Sequence, residues 1–118
     1  MISIKNINDW NSAFEDHKNN KNILLINCTA SWCGPCKKLK PELEKLSINT
    51  KYKDVKFYKI YIDECDEIAE QLKIVSVPTT LLVKNDNIVE RIVGANLTEI
   101  INKLDVLLWK WYKIKIYI

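Results

Sequence analysis

Two thiols three positions apart, Cys33 and Cys36, are the residues of this chain best suited to do chemistry. They sit in Trp32-Cys33-Gly34-Pro35-Cys36, after the apolar run Ile23-Leu24-Leu25-Ile26 and before a helix-like segment. A helix starting near Cys33 aims its unpaired N–H groups and positive dipole end at that sulfur. Such an environment stabilises a thiolate, the nucleophile of disulfide exchange. Exchange needs an exposed, ionisable first sulfur and a more buried second one that resolves the mixed disulfide. The spacing therefore assigns attack to Cys33 and resolution to Cys36. Pro35 fixes φ and has no N–H to leave unpaired in the first helical turn. Gly34 permits close approach of a partner chain. Lys37, Lys38 and Lys40 add positive charge, most of it screened by solvent.

The other candidate ligands and nucleophiles carry less. Cys28 lies inside the apolar run and reads as a small core residue. Cys65 sits in Asp63-Glu64-Cys65-Asp66-Glu67, where neighbouring acids should raise its pKa and quiet it. A zinc site at Cys33 and Cys36 would need two further ligands. Cys28 and Cys65 do not form a second C-x-x-C, and His17 is the only histidine, so no metal is expected. His17 is expected on the surface of the first helix.

A chain of 118 residues is long enough for one domain with its own core. A net charge of +3 without a basic, aromatic-interleaved stripe argues against nucleic acid as a partner. Ile (17), Lys (17) and Asn (12) are abundant throughout, so Lys18-Asn19-Asn20-Lys21-Asn22 reads as a solvated loop. The N-terminus lacks the apolar core of a signal peptide, and no apolar run approaches the ~20 residues of a membrane span. A reducing, cytoplasmic setting is the expectation, with an organelle as the other intracellular choice. There, paired cysteines serve catalysis or metal binding more than structure.

The elements that must hold the two thiols can be read from periodicity. Ile2, Ile4 and Ile7 suggest a short strand. Asn8 is a candidate N-cap for a helix with Trp10, Ala13, Phe14 and His17 at helical spacing. Ile23 to Cys28 has the continuous apolar pattern of a strand covered on both faces. A helix from about Cys33 should carry Leu39, Leu43 and Leu46 inward and be kinked at Pro41. Val55 to Ile62 predicts a strand, Asp63 to Lys73 a helix, and Leu81 to Lys84 and Ile88 to Val93 a hairpin about Asn85-Asp86-Asn87. Asn96 with Glu99 starts a last helix through Leu108. The order β-α-β-α-β-α-β-β-α predicts an α/β fold, a mixed five-stranded sheet flanked by four helices.

These residues together carry a family resemblance. Trp32-Cys33-Gly34-Pro35-Cys36-Lys37 is identical to the active-site motif of thioredoxins. Pro41 resembles their kink proline and Val77-Pro78-Thr79 their cis-proline turn. Gly94-Ala95 resembles the glycine before their last helix, and Lys59 their buried lysine. The resemblance covers roughly residues 2 to 108. It implies a thioredoxin fold and a monomer. It also implies a docking surface of Trp32, Gly34, Pro35, Val77, Pro78 and Gly94, and a reversible Cys33–Cys36 disulfide with no bound cofactor. Thioredoxin reductase, an NADPH-dependent flavin enzyme, would be the reductant, and disulfide-containing clients such as peroxiredoxins the substrates. A Gly-Pro dipeptide goes with reducing members near −270 mV, against about −120 mV for oxidants of the same fold. That gap is about 7 kcal/mol for two electrons, so a reductant is expected.

The chain also departs from the pattern. Thioredoxins usually place a buried aspartate six residues before the first cysteine, and here that position is Asn27. With Lys59 it forms the expected proton-transfer support, but an amide cannot take the proton of Cys36 at neutral pH. Thr29 and Ser31 differ from the usual residues beside the docking surface. Residues 109–118 extend past the thioredoxin-like domain of residues 1–108, and the last six alternate Lys or Tyr with Ile at a strand-like period. That tail is expected to extend or pack against the last helix. A membrane-interface anchor or a strand lent to a partner are the other readings. A scaffold with an incidental redox pair is the functional alternative to a disulfide reductase.

Overall fold

The computed structural model describes residues 1–117, with side chains through 114. Its elements are β1 (Ile2–Ile4), α1 (Ile7–Asn20), β2 (Ile23–Thr29), α2 (Gly34–Ser47), β3 (Val55–Tyr61), α3 (Asp66–Gln71), β4 (Thr79–Lys84), β5 (Asn87–Val93) and α4 (Leu97–Tyr117). The strands form one sheet in the order β1-β3-β2-β4-β5. The β1–β3 and β2–β3 pairs are parallel, and the β2–β4 and β4–β5 pairs antiparallel. The expected mixed five-stranded sheet with four helices is the one found.

The alternation of side chains along β2 shows why its apolar run is unbroken. Ile23 and Leu25 point into a core built with Leu39 and Leu43 of α2 and Ile100, Leu104 and Leu108 of α4. Leu24, Ile26 and Cys28 point to the other face, against Ala13 of α1 and Ile68 of α3. Every residue of β2 is buried. This strand, third of five, fixes the floor from which the Cys33 loop rises.

Several boundaries differ from the sequence expectation. Helix α1 is capped by Asn6, whose side chain accepts from the Asp9 N–H at 2.8 Å, and not by Asn8. Asn6 is the residue whose cap bond engages the first turn. Helix α3 is only Asp66–Gln71, because residues 62–64 turn off β3 and are held by Glu64 N–H to Tyr61 O at 3.0 Å. Asn96 caps α4 through the Glu99 N–H at 3.0 Å. Helix α2 runs through Pro41 without ending.

His17 is not a surface residue: it is 2% exposed. Its Nδ1 lies 3.2 Å from Asn22 Oδ1, and its Nε2 accepts from the Asp86 N–H at 3.1 Å. Nε2 thus ties the end of α1 to the β4–β5 hairpin, and Nδ1 ties it to the turn before β2. A buried imidazole with both nitrogens bonded satisfies the rule that buried polar groups find partners.

The tail is helical through Tyr117, so its alternating residues form no strand as far as described; Ile118 lies outside the described residues. Trp111 falls on the inward stripe with Leu104, Leu107 and Leu108 and joins the core. Its Nε1–H donates to Lys21 O at 2.8 Å, and Tyr112 OH donates to Asp54 Oδ2 at 2.5 Å.

Candidate active site

The two cysteines sit where β2 ends and α2 begins. Cys33 is the N-cap of α2, with extended backbone (φ −87°, ψ 114°), and Pro35 lies in the first turn. Cys33 and Cys36 form a disulfide with Cα atoms 5.3 Å apart. The Cys36 N–H points at Cys33 Sγ at 3.3 Å. One free helix N–H therefore faces the first sulfur and not the second. On reduction this donor and the helix dipole favour ionisation of Cys33.

The exposure expected of the first sulfur is not what is found. Cys33 and Cys36 are both 4% exposed in the disulfide-bonded state. They pack with Ala30 in a small cluster of their own, against Ile62 and Val77. The residue that projects is Trp32, 69% exposed, and Gly34 and Pro35 are open beside it. Asymmetry between the sulfurs comes from hydrogen bonding and position at the helix start, and not from unequal burial.

The Val77–Pro78 peptide bond is cis. Val77 O lies 3.8 Å from Cys33 Sγ, across from the disulfide. Thr79 Oγ1 bonds Ser76 O at 2.7 Å and so ties the two sides of this turn. Gly94 has φ 97°, a left-handed conformation that favours glycine, and its N–H donates to Pro78 O at 2.8 Å. Trp32, Gly34, Pro35, Val77, Pro78 and Gly94 thus share one end of the sheet. Val75 and Val93 extend it, 95% and 58% exposed. A cleft of about 460 Å³ runs from Gly34 and Pro35 to Ala95 and Leu97.

Asn27 and Lys59 are register partners across the parallel β2–β3 pair. Asn27 shares the face of Ile23 and Leu25, under α2, is 6% exposed, and its Nδ2 donates to Thr80 Oγ1 at 3.4 Å. Lys59 is half-buried. Among the described residues, no hydrogen bond joins either side chain to a cysteine, and no group of three His, Cys, Asp or Glu is placed to hold a metal.

Two contacts at this end had no signal in the sequence. Ser31 Oγ donates to Asp63 Oδ2 at 2.5 Å, stapling the loop before Trp32 to the loop after β3. That bond holds the Asp63 carboxyl below its ordinary pKa. Ile62, expected only as strand, packs on the cysteine cluster. A contact between two loops 32 positions apart has no periodicity to reveal it.

The remaining thiols are quiet. Burial pushes Cys28 up to about 12, only partly opposed by Arg91. Burial and then the nearby Glu64, Asp9, Asp66 and Asp63 raise Cys65. Its Sγ lies 3.6 Å from Ile4 O.

Comparison with known proteins agrees with this geometry. The family profile described as Thioredoxin matches residues 4–106. An H-type thioredoxin from Fagopyrum esculentum is 34% identical over 106 residues, 90% of this chain and 90% of that protein. The crystal structure of a poplar thioredoxin h superposes with a TM-score of 0.85 at 29% identity, covering 91% of this chain and 95% of that one. A thioredoxin from Nicotiana alata gives a TM-score of 0.80 at 36% identity, covering 87% and 88%.

Proposed function

This chain belongs to the thioredoxin family, and from that premise we propose a division of labour between its two redox thiols. The protein is a thiol–disulfide oxidoreductase of the protein-disulfide reductase type. In the proposed cycle the Cys33 thiolate attacks one sulfur of a client disulfide. That S–S bond breaks, a mixed disulfide forms, and the first client thiolate leaves. Cys36 loses its proton and attacks Cys33 Sγ, releasing the second client thiolate. Two electrons have passed to the client, and the chain holds the Cys33–Cys36 disulfide.

The observation that carries this assignment is the single backbone N–H of Cys36 directed at Cys33 Sγ, 3.3 Å away at the start of α2. It stabilises a negative charge on Cys33 alone. The Val77 carbonyl opposite and the open Trp32, Gly34 and Pro35 support docking of an extended client strand here. Thioredoxin reductase using NADPH is the proposed electron source, and disulfide-bearing proteins such as peroxiredoxins the proposed clients. A reducing compartment suits a dithiol that must be regenerated. Residues 1–108 serve as the thioredoxin domain and 109–117 as a helical closure of it.

Insulin disulfide reduction with dithiothreitol tests the assignment. Cys33→Ser should fall to background, and Cys36→Ser should accumulate a mixed disulfide with insulin. Trapping by Cys33→Ser in place of Cys36→Ser would reverse the roles.

The proton of Cys36 is the slow point of the proposal. Asn27 lies on the face beneath α2 but carries no base. Asn27→Asp should speed mixed-disulfide resolution by about tenfold, a small share of what a positioned base supplies. Stopped-flow tryptophan fluorescence reads that step, and equal or slower resolution removes Asn27 from it.

A further inference from the structure

The outer edge of the sheet, remote in role from the disulfide, has a groove of its own. Strand β5 ends the sheet, so among the described residues one of its edges has no partner strand. In the β4–β5 ladder, Leu82 pairs with Glu90 and Val83 with Ile88, which leaves Val89 as an extra residue. Such bulges re-aim a side chain. Val89 turns to a groove of about 510 Å³ between β5 and α4, lined also by Lys84, Glu90, Lys103, Val106 and Lys110.

The chemistry of this groove is uneven. Its apolar part is uncovered: Val89 is 43% and Val106 54% exposed. Of the three rim lysines, Lys103 faces Glu90 at 3.9 Å. Among the described residues, Lys84 and Lys110 have no carboxylate within ion-pair distance. Lysines also guard sheet edges against self-association. That role does not explain Lys103 and Lys110, which stand on the helix, or the open valines between them and the edge.

We propose that this groove docks an extended acidic segment of a partner protein, lying along β5. Its apolar side chains would cover Val89 and Val106, and its carboxylates would meet Lys84 and Lys110. Charge complementarity selects an acidic partner, and an uncovered strand edge beside apolar pockets is how extended segments are held. The concave shape favours a chain over a bilayer, because a headgroup surface offers no side chain to fill a cleft.

The test is an amide-shift titration of the oxidised, ¹⁵N-labelled full chain. The probes are a peptide of alternating Val and Glu and its Val–Lys counterpart. The Val–Glu peptide should shift amides in 87–93 and 103–110 and bind more weakly as salt is raised. Lys84→Glu/Lys110→Glu should weaken it by about tenfold or more, with Lys84→Gln/Lys110→Gln between, and insulin reduction should not change. No shift at these amides overturns the proposal, as does equal binding of the Val–Lys peptide or an unchanged Kd in the charge-reversed chain. Phosphatidylserine vesicles form the third arm. Loss of these same amides on vesicles, with no peptide response, would give the groove to a lipid surface instead.

Discussion

The two ends of the sheet are finished in opposite ways. At the carboxyl ends of β2 and β3, three small residues form the buried cluster, and Trp32, Val75 and Val93 stand in solvent at 69%, 95% and 58% exposure. At the amino ends of the same strands, Trp111 and Tyr52 turn inward, Tyr112 lies on the surface, and the polar tips of all three are bonded. Trp111 donates to Lys21 O, Tyr112 to Asp54, and Tyr52 OH to Asp105 Oδ1 at 2.8 Å. His17 ties α1 to the hairpin beside them. The open end leaves apolar surface around the disulfide, whereas the closed end ties its aromatic tips to neighbouring elements, although Trp109 is 62% exposed there. In the proposed function the first end serves docking, while the bonds of the second stabilise a scaffold that must hold Cys33, Val77 and Gly94 in register.

Two tryptophans put this contrast to its largest test. Trp111 is 8% exposed in the core and Trp32 is 69% exposed beside the disulfide. Trp111→Ala should cost about 3–5 kcal/mol, the usual range for a buried Trp. The insulin-reducing rate per folded molecule should stay near that of the parent. Trp32→Ala should cost under about 0.5 kcal/mol, as an exposed position does, yet slow insulin reduction. Urea unfolding and the insulin assay on both variants read the two effects. A stability loss in Trp32→Ala as large as in Trp111→Ala would erase the contrast.

The open end was the more legible one in the sequence. Its residues are constrained by local chemistry: a C-x-x-C at a helix start, a proline that must sit in a turn, a glycine at φ 97°. Each leaves a mark within a few positions. The strands and most helices were legible because burial on one or both faces imposes a period. The closed end was not. His17 was expected outside because nothing on its own helix shows that Asn22 and Asp86 wait for its ring. The expected extension of the last helix by the tail is found, but nothing in the sequence shows that Trp111 joins the stripe of Leu104 and Leu108 and anchors the turn before β2. The Ser31–Asp63 bond and the equal burial of the two sulfurs depend on how separate loops meet, which no periodicity records.

A buried thiol between the two ends gives a smaller, pH-dependent test. Cys28 is pushed up to about 12 from 9.0 by burial. Its neutral form is favoured in the folded chain, so the unfolded chain gives up its proton first. The resulting stability is fully present below pH 9 and is lost as pH rises toward 12. At pH 10 the loss from this group should be about 1.4 kcal/mol, one unit's worth. Urea unfolding at pH 8 and pH 10, in a Cys33→Ser/Cys36→Ser background that prevents exchange, should show it. Adding Cys28→Ala should flatten the difference while lowering stability at both pH values. An unchanged pH dependence would mean that Cys28 is not the group responsible.

The smallest effects come from two hydroxyl-to-carboxylate bonds of the same 2.5 Å length, one at each end: Ser31 to Asp63 and Tyr112 to Asp54. Both are exposed, so neither should matter much to stability. Tyr112→Phe keeps the ring and removes one bond, which should cost less than about 1 kcal/mol and leave insulin kinetics alone. Ser31→Ala acts beside Trp32. It frees the loop before the disulfide and returns the Asp63 carboxyl toward its ordinary pKa, since the Ser31 hydroxyl is the main cause of its depression. The KM for insulin should then move by about twofold to fivefold, what one modest hydrogen bond is worth, with kcat little changed. The acid limb of stability should respond as well. A depressed carboxyl stabilises the fold above its ordinary pKa of 3.8 and loses that contribution as pH falls, so Ser31→Ala should be less acid-sensitive than the parent. If both variants leave KM untouched, the Ser31–Asp63 staple belongs with the structural bonds of the closed end. If Tyr112→Phe moves KM as much as Ser31→Ala does, the two ends are coupled through the sheet and do not divide the work.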